Sequence, residues 1–213
     1  MELQARQRPA DGDPAGLLVL HHGRGADEHD LLGLGDVLDP ERRLHVVTPR
    51  APLTVPGWPG HHWYLVERVG FPDPGSFHAA RAALAAFHDE LWEHTGLTPE
   101  RTVLGGFSMG SVMSYAMAFD PARPAVAGVL AFSGFVPTVE DWGPDLAARA
   151  ATRAFVAHGR RDPAISVAFA RRARELLEAA GIAVEYRESD AAHQIDPADV
   201  EPATAWLRAT LAP

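Results

Sequence analysis

The sequence predicts an α/β fold: a three-layer sandwich in which helices cover both faces of a mostly parallel central sheet. Three observations carry this. Short, wholly apolar runs such as Leu17-Leu18-Val19-Leu20 and Ala154-Phe155-Val156-Ala157 are the strands of a sheet buried on both faces. Those runs alternate with segments of helical period along the chain, with no internal repeat and no linker. A chain of 213 residues, 46% hydrophobic and 22% charged, has the size and composition of one globular domain, expected here over 1–213.

The elements follow in order. Leu17 to His21 reads as a strand, and Leu31, Leu34 and Leu38 mark a helical segment. Leu44 to Val47 is a second strand, closed by Pro49 and Pro52. Residues 49–76 hold many of the prolines and glycines together with Trp58, Trp63 and Phe71, which reads as a long irregular loop of functional type. Ala79 to Trp92 is an alanine-rich helix that Gly96 stops. Thr102 to Leu104 (strand), Met109 to Phe119 (helix) and Ala125 to Phe132 (strand) come next, then a loop around Pro137 and Trp142. Ala154 to Ala157 (strand), Ile165 to Ala180 (helix), Ile182 to Tyr186 (strand) and Val200 to Leu211 (helix) complete the chain. Only the loop around Pro137 and Trp142 separates two of the later strands, which leaves no room for a cap domain.

Charge and composition exclude several classes. With 19 basic and 28 acidic side chains the formal net charge is −9, and the basic residues are arginines scattered along the chain. Nucleic-acid binding runs on clustered cations, so no nucleic-acid partner is expected. The absence of cysteine rules out a disulfide framework, a thiol nucleophile and any Cys-ligated metal. Met1 to Arg6 lacks the apolar run of a signal peptide, and no apolar stretch reaches membrane-spanning length, so a cytoplasmic protein with no membrane partner is expected.

The chemistry centres on Gly106-Phe107-Ser108-Met109-Gly110, a G-x-S-x-G motif placed between a strand and a helix. In that context it is the nucleophile elbow of an α/β-hydrolase fold. The turn is sharp enough to strain the serine, and small residues on either side let strand and helix approach. A serine hydroxyl needs a base to take its proton and a carboxylate to orient that base. In this fold they follow in the order Ser, Asp or Glu, His, on loops after later strands. Asp162 follows the strand ending at Ala157, and His193 follows the strand ending at Tyr186. Asp162 also reads as a simple helix N-cap before Pro163, and Asp190 is a rival acid poorly placed to orient a histidine on its own loop.

A tetrahedral intermediate needs N–H donors for its oxyanion. The N–H of Met109, directly after the nucleophile, is one. The N–H of Arg24, in the glycine-rich loop His22-Gly23-Arg24-Gly25-Ala26-Asp27, is the other. That loop also resembles a dinucleotide fingerprint, but Glu28 stands where the third glycine belongs and the next strand ends at Thr48-Pro49-Arg50 without a ribose-binding acid. His21-His22 and His61-His62 are adjacent pairs whose members point apart, and no H-E-x-x-H occurs, so no metal is expected.

On these residues the chain resembles the phospholipase/carboxylesterase family of small α/β-hydrolases, which includes bacterial carboxylesterases and acyl-protein thioesterases. The resemblance spans nearly the whole chain: H-G-x-G-A-D at His22 to Asp27, Trp63-Tyr64, G-F-S-x-G at Gly106 to Gly110, H-G-x-x-D-P at His158 to Pro163, and H-x-I at His193 to Ile195. It implies Ser108, Asp162 and His193 as the triad, Arg24 and Met109 as oxyanion donors, Trp63 as a wall of the acyl pocket, no cofactor, and often a homodimer. Met109 stands where such proteins commonly carry glutamine, Ala192 where a glycine precedes the base, and Leu65 where an aspartate often follows the tryptophan pair.

The expected activity is hydrolysis of carboxylic esters or thioesters of short to medium acyl chains, with Trp58, Trp63, Phe71 and Trp142 bordering the substrate. An acyltransferase or perhydrolase would use the same triad, and a non-catalytic binding protein on this fold would normally have lost one member of it.

Overall fold

The structure is a computed structural model that describes residues 3–212 of the expected domain; Met1 and Glu2, part of the leader reading, lie outside the described residues. Its elements in chain order are β1 (Ala5–Arg8), β2 (Gly16–His21), α1 (Leu32–Leu38), β3 (Leu44–Pro49), β4 (Val66–Arg68), β5 (Phe71–Pro72), α2 (Pro74–Thr95), β6 (Thr102–Phe107), α3 (Met109–Ala118), β7 (Gly128–Phe132), β8 (Arg153–Gly159), α4 (Val167–Ala179), β9 (Val184–Ser189) and α5 (Val200–Thr210).

Seven strands form one sheet in the order β1-β3-β2-β6-β7-β8-β9, with β4 and β5 pairing apart from it. All neighbours in the large sheet are parallel except β1, which runs antiparallel to β3 at the edge, Ala5 facing Pro49. The two faces are sealed by different helices. Leu17 and Val19 of β2 pack into the core shared with α2, α3 and α4, and Leu18 and Leu20 point into the core shared with α1 and α5. This is why the strands read as continuous apolar runs rather than alternating ones. No cap domain is inserted among the described residues: 133–152, between β7 and β8, hold only the Val139–Trp142 bridge and a short 3₁₀ turn.

The sequence reading needs correction in three places. Ala5–Arg8, which has no apolar run, is a strand through its antiparallel pairing with β3, with Arg8 turned inward and held by Asp39 at 2.8 Å and Asp36 at 3.2 Å. The 49–76 segment is not wholly irregular. It holds the β4–β5 hairpin and the first turn of α2, which starts at Pro74 rather than Ala79 because Asp73 caps it, accepting from the N–H of Ser76 at 2.8 Å. The end of α2 is where expected, with Gly96 left-handed at φ 67°.

Candidate active site

The candidate residues Ser108, Asp162 and His193 follow the carboxyl ends of the parallel strands β6, β8 and β9. β6 ends at Phe107 and α3 begins at Met109, so Ser108 alone makes the turn, at φ 55° and ψ −119°. That conformation is uncommon for a residue with a side chain and costs on the order of 1–3 kcal/mol. The surroundings hold it there. The N–H of Ser108 donates to the carbonyl of Phe132 at 2.9 Å. The hydroxyl of Ser111, one turn into α3, is 2.6 Å from the carbonyl of Gly106 and also meets the backbone of Phe132. The elbow is closed by contact with β2: a Cβ on Gly110 would stand 1.8 Å from the carbonyl oxygen of His21.

The structure brings Ser108, His193 and Asp162 together. His193 Nε2 is 2.9 Å from Ser108 Oγ, and its Nδ1 is 2.6 Å from Asp162 Oδ2. The histidine ring packs on Phe107, centroids 4.9 Å apart. The Asp162 carboxylate is buried and uses both oxygens: Oδ1 accepts from the N–H groups of Ala164 and Ile165, each at 2.8 Å, and Oδ2 faces the histidine. Burial pushes the Asp162 pKa up, but the Ile165 N–H, the His193 ring and the Ala164 N–H outweigh it, so the carboxyl titrates below its ordinary value. Asp162 is thus not the helix N-cap that its place before Pro163 suggested: Ser166 caps α4, its side chain accepting from the N–H of Ala168, while Asp162 ties down the turn before the helix and meets the histidine. Asp190 instead points to solvent and pairs with Arg160 and Arg161, at 2.9 and 3.6 Å.

Sequence reasoning passed over His158. It is buried behind this pair, its Nε2 2.8 Å from the carbonyl of Ile165 and 3.3 Å from Asp162 Oδ2, so it braces the loop that presents the aspartate. The H-G-x-x-D-P spacing was the available signal.

Arg24 and Met109 both border the cavity that holds Ser108 and His193, and neither backbone N–H has a hydrogen-bond acceptor among the described residues. Two unpaired N–H groups beside the Ser108 hydroxyl have the placement that an oxyanion hole requires. The cavity encloses about 380 Å³ and is mainly apolar, lined by Tyr64, Val66, Val69, Phe107, Phe135 and Ile165, with Arg24, Asp30 and Arg68 at its charged parts.

The four aromatic residues expected to border the substrate are placed elsewhere. Trp63 is fully buried, because its indole N–H donates to the carbonyl of His22 at 3.0 Å and its backbone N–H meets Met109 Sδ at 3.3 Å. It braces the two segments that carry the unpaired N–H groups instead of walling the cavity. Trp142 is buried against Phe77, ring centroids 5.8 Å apart. Trp58 and Phe71 are exposed and lie under guanidinium groups, of Arg24 at 4.6 Å and Arg68 at 3.8 Å. Tyr64, next in sequence to Trp63, is the aromatic side chain that reaches the cavity from this segment. Glu28 and Arg50, the residues weighed for a dinucleotide, bond to each other, with both contacts at 2.5 Å.

Comparison with known proteins places this geometry. The family model described as Phospholipase/Carboxylesterase matches residues 6–211. The putative hydrolase MhqD of Bacillus subtilis is 26% identical over 197 residues, covering 92% of this chain and 94% of its own. An acyl-protein thioesterase 1 of Debaryomyces hansenii is 30% identical over 149 residues, 67% of this chain and 61% of that protein. Among solved structures, esterase PE8 superposes with a TM-score of 0.83 at 30% identity, covering 99% of this chain and all of its own.

Proposed function

The chain belongs to the phospholipase/carboxylesterase family, and from that premise we propose that it is a serine hydrolase of carboxylic esters or thioesters, acting through an acyl-enzyme on Ser108. The single observation that carries this reading is the continuous hydrogen-bonded line from Ser108 Oγ through His193 to Asp162. His193 Nε2 takes the hydroxyl proton as Oγ bonds to the substrate carbonyl carbon. The N–H groups of Arg24 and Met109 receive the negative charge that forms on the carbonyl oxygen. The intermediate collapses, the bond to the leaving oxygen or sulfur breaks, and that atom takes the proton from His193. Water then repeats the sequence: its proton goes to His193 as its oxygen bonds to the acyl carbon, the bond from that carbon to Ser108 Oγ breaks, and Oγ takes the proton back from His193. Asp162 accepts from Nδ1 throughout, which holds the ring in the tautomer that leaves Nε2 free to act.

The cavity supports short to medium acyl chains in soluble esters. It is mainly apolar, about 380 Å³, and bordered by Val66, Arg68 and Val69 of the β4–β5 hairpin rather than by a cap domain. Ser108→Ala tests the reading. It removes one buried oxygen, so the fold should stand while ester hydrolysis falls by several orders of magnitude; wild-type turnover in the alanine protein refutes the proposal.

A further inference from the structure

The loop after β2 offers an amide to the cavity, and the residue that aims this amide sits behind it. His22 is buried, and its two ring nitrogens have opposite partners. Nε2 lies 3.0 Å from the backbone N–H of Ala51, which can only donate. Nδ1 lies 2.7 Å from the carbonyl of Gly23, which can only accept. Both bonds are made together only by the neutral ring with its proton on Nδ1. Burial favours that form, pushing the His22 pKa down to about 4. The residue is itself pinned, since Trp63 donates to the His22 carbonyl and packs against its ring at 5.3 Å.

The peptide between Gly23 and Arg24 is trans, so the Gly23 carbonyl and the Arg24 N–H point in opposite directions. A carbonyl clasped by the buried ring therefore turns the Arg24 N–H toward the cavity. A longer bond from the N–H of Ala26, 3.4 Å, reaches the same carbonyl. A Cβ on Gly23 would lie 3.2 Å from the Phe107 ring, so that ring would have to give by a few tenths of an ångström. The same lack of a side chain lets this peptide turn over, which would aim a carbonyl oxygen at the developing oxyanion.

We propose that His22 is a positioning residue of the oxyanion hole: its Nδ1–H holds the Gly23 carbonyl and so fixes the direction of the Arg24 N–H. This rests on Ser108 being the nucleophile. Two substitutions separate its bonds. His22→Asn keeps a donor where Nδ1 stands and loses the contact to Ala51. His22→Gln places its amide near Nε2 and loses the clasp on Gly23. Each protein is assayed for kcat and KM on an aryl ester, for inhibition by a boronic acid that mimics the tetrahedral intermediate, and for melting temperature.

Loss of one oxyanion donor costs roughly 10²–10³ in kcat. The Gln protein should lose about 10² in kcat and a matching factor in boronate affinity, with KM within about threefold of wild type. The Asn protein should stay within about tenfold in kcat even where its melting temperature falls. A folded Gln protein with wild-type kcat overturns the proposal. So does an Asn protein that loses 10² or more, whether or not the Gln protein folds, because the role would then be packing alone. Failure of the Ser108 reading is distinguishable, since wild-type turnover in Ser108→Ala would remove the nucleophile itself.

Discussion

Gly110→Ala perturbs the elbow at its tightest point. The new Cβ would stand 1.8 Å from the carbonyl oxygen of His21 and 2.7 Å from that of His22, and Cβ contacts under 3.0 Å force a shift. Both obstacles are backbone, so no side-chain rotation relieves them, and α3 and the end of β2 must separate by at least about 1.2 Å (3.0 − 1.8). That movement carries the His22–Arg24 segment away from Ser108. A misplacement of about 1 Å in a catalytic arrangement costs on the order of 10² in rate, and the overpacking costs about 3 kcal/mol. For a chain of this size that is a fall of roughly 6–12 °C in melting temperature. Gly33→Ala is the control. It lies on the exposed side of α1, where a Cβ meets nothing within 4 Å, and should stabilise by about 0.5–1 kcal/mol with activity unchanged. Kinetics on an aryl ester and thermal melts read both effects. A Gly110→Ala protein with wild-type kcat and melting temperature refutes the argument that this contact sets the elbow.

Three further outcomes are expected. Asp162→Asn should lower kcat by about 10³–10⁴, while Asp190→Asn, which changes only a solvent-facing pair with Arg160 and Arg161, should stay within about twofold; the reverse ranking in a kcat comparison assigns the acid to Asp190. The bond from Arg50 holds the buried Glu28 carboxyl at about 2, below its ordinary value of 4.5, so its contribution, at most about 3 kcal/mol, is present above about pH 5 and lost as pH falls toward 2. Melting curves should accordingly show Glu28→Gln less stable than wild type at pH 7, with the gap reduced to about a quarter near pH 2.5; an equal gap at both pH values contradicts the linkage. In a series of aryl esters each methylene that enters the cavity should add about 0.8 kcal/mol to catalytic efficiency, with the gain ending at medium lengths; efficiency still climbing at long acyl chains would mean a deeper channel.

The buried parallel strands were legible because burial on both faces leaves an unbroken apolar run, as in Leu17 to Leu20. The residues at the site were legible for a different reason: G-x-S-x-G needs its glycines where backbone meets backbone, and the order of strands puts Asp162 and His193 beside it. What escaped depends on contacts distant in sequence. Ala5–Arg8 becomes a strand through its pairing with β3 and the clasp of Arg8 by Asp39. The β4–β5 hairpin has strands of three and two residues, too short to show a period. Trp63 reads as an apolar surface, yet its polar N–H decides its place, tying it to the His22 carbonyl and away from the cavity. The bracing of Asp162 by His158 likewise exists only once the loop after β8 has folded back on itself.

The central claim is that an acyl group passes through Ser108. Its most direct test is to quench the protein during turnover of an activated ester and locate the added acyl mass by peptide mass spectrometry. The account predicts one acyl group on Ser108, none in Ser108→Ala, and an accumulated adduct in a variant slowed in deacylation. An acyl adduct on another residue, or undiminished hydrolysis by the Ser108→Ala protein, would contradict it.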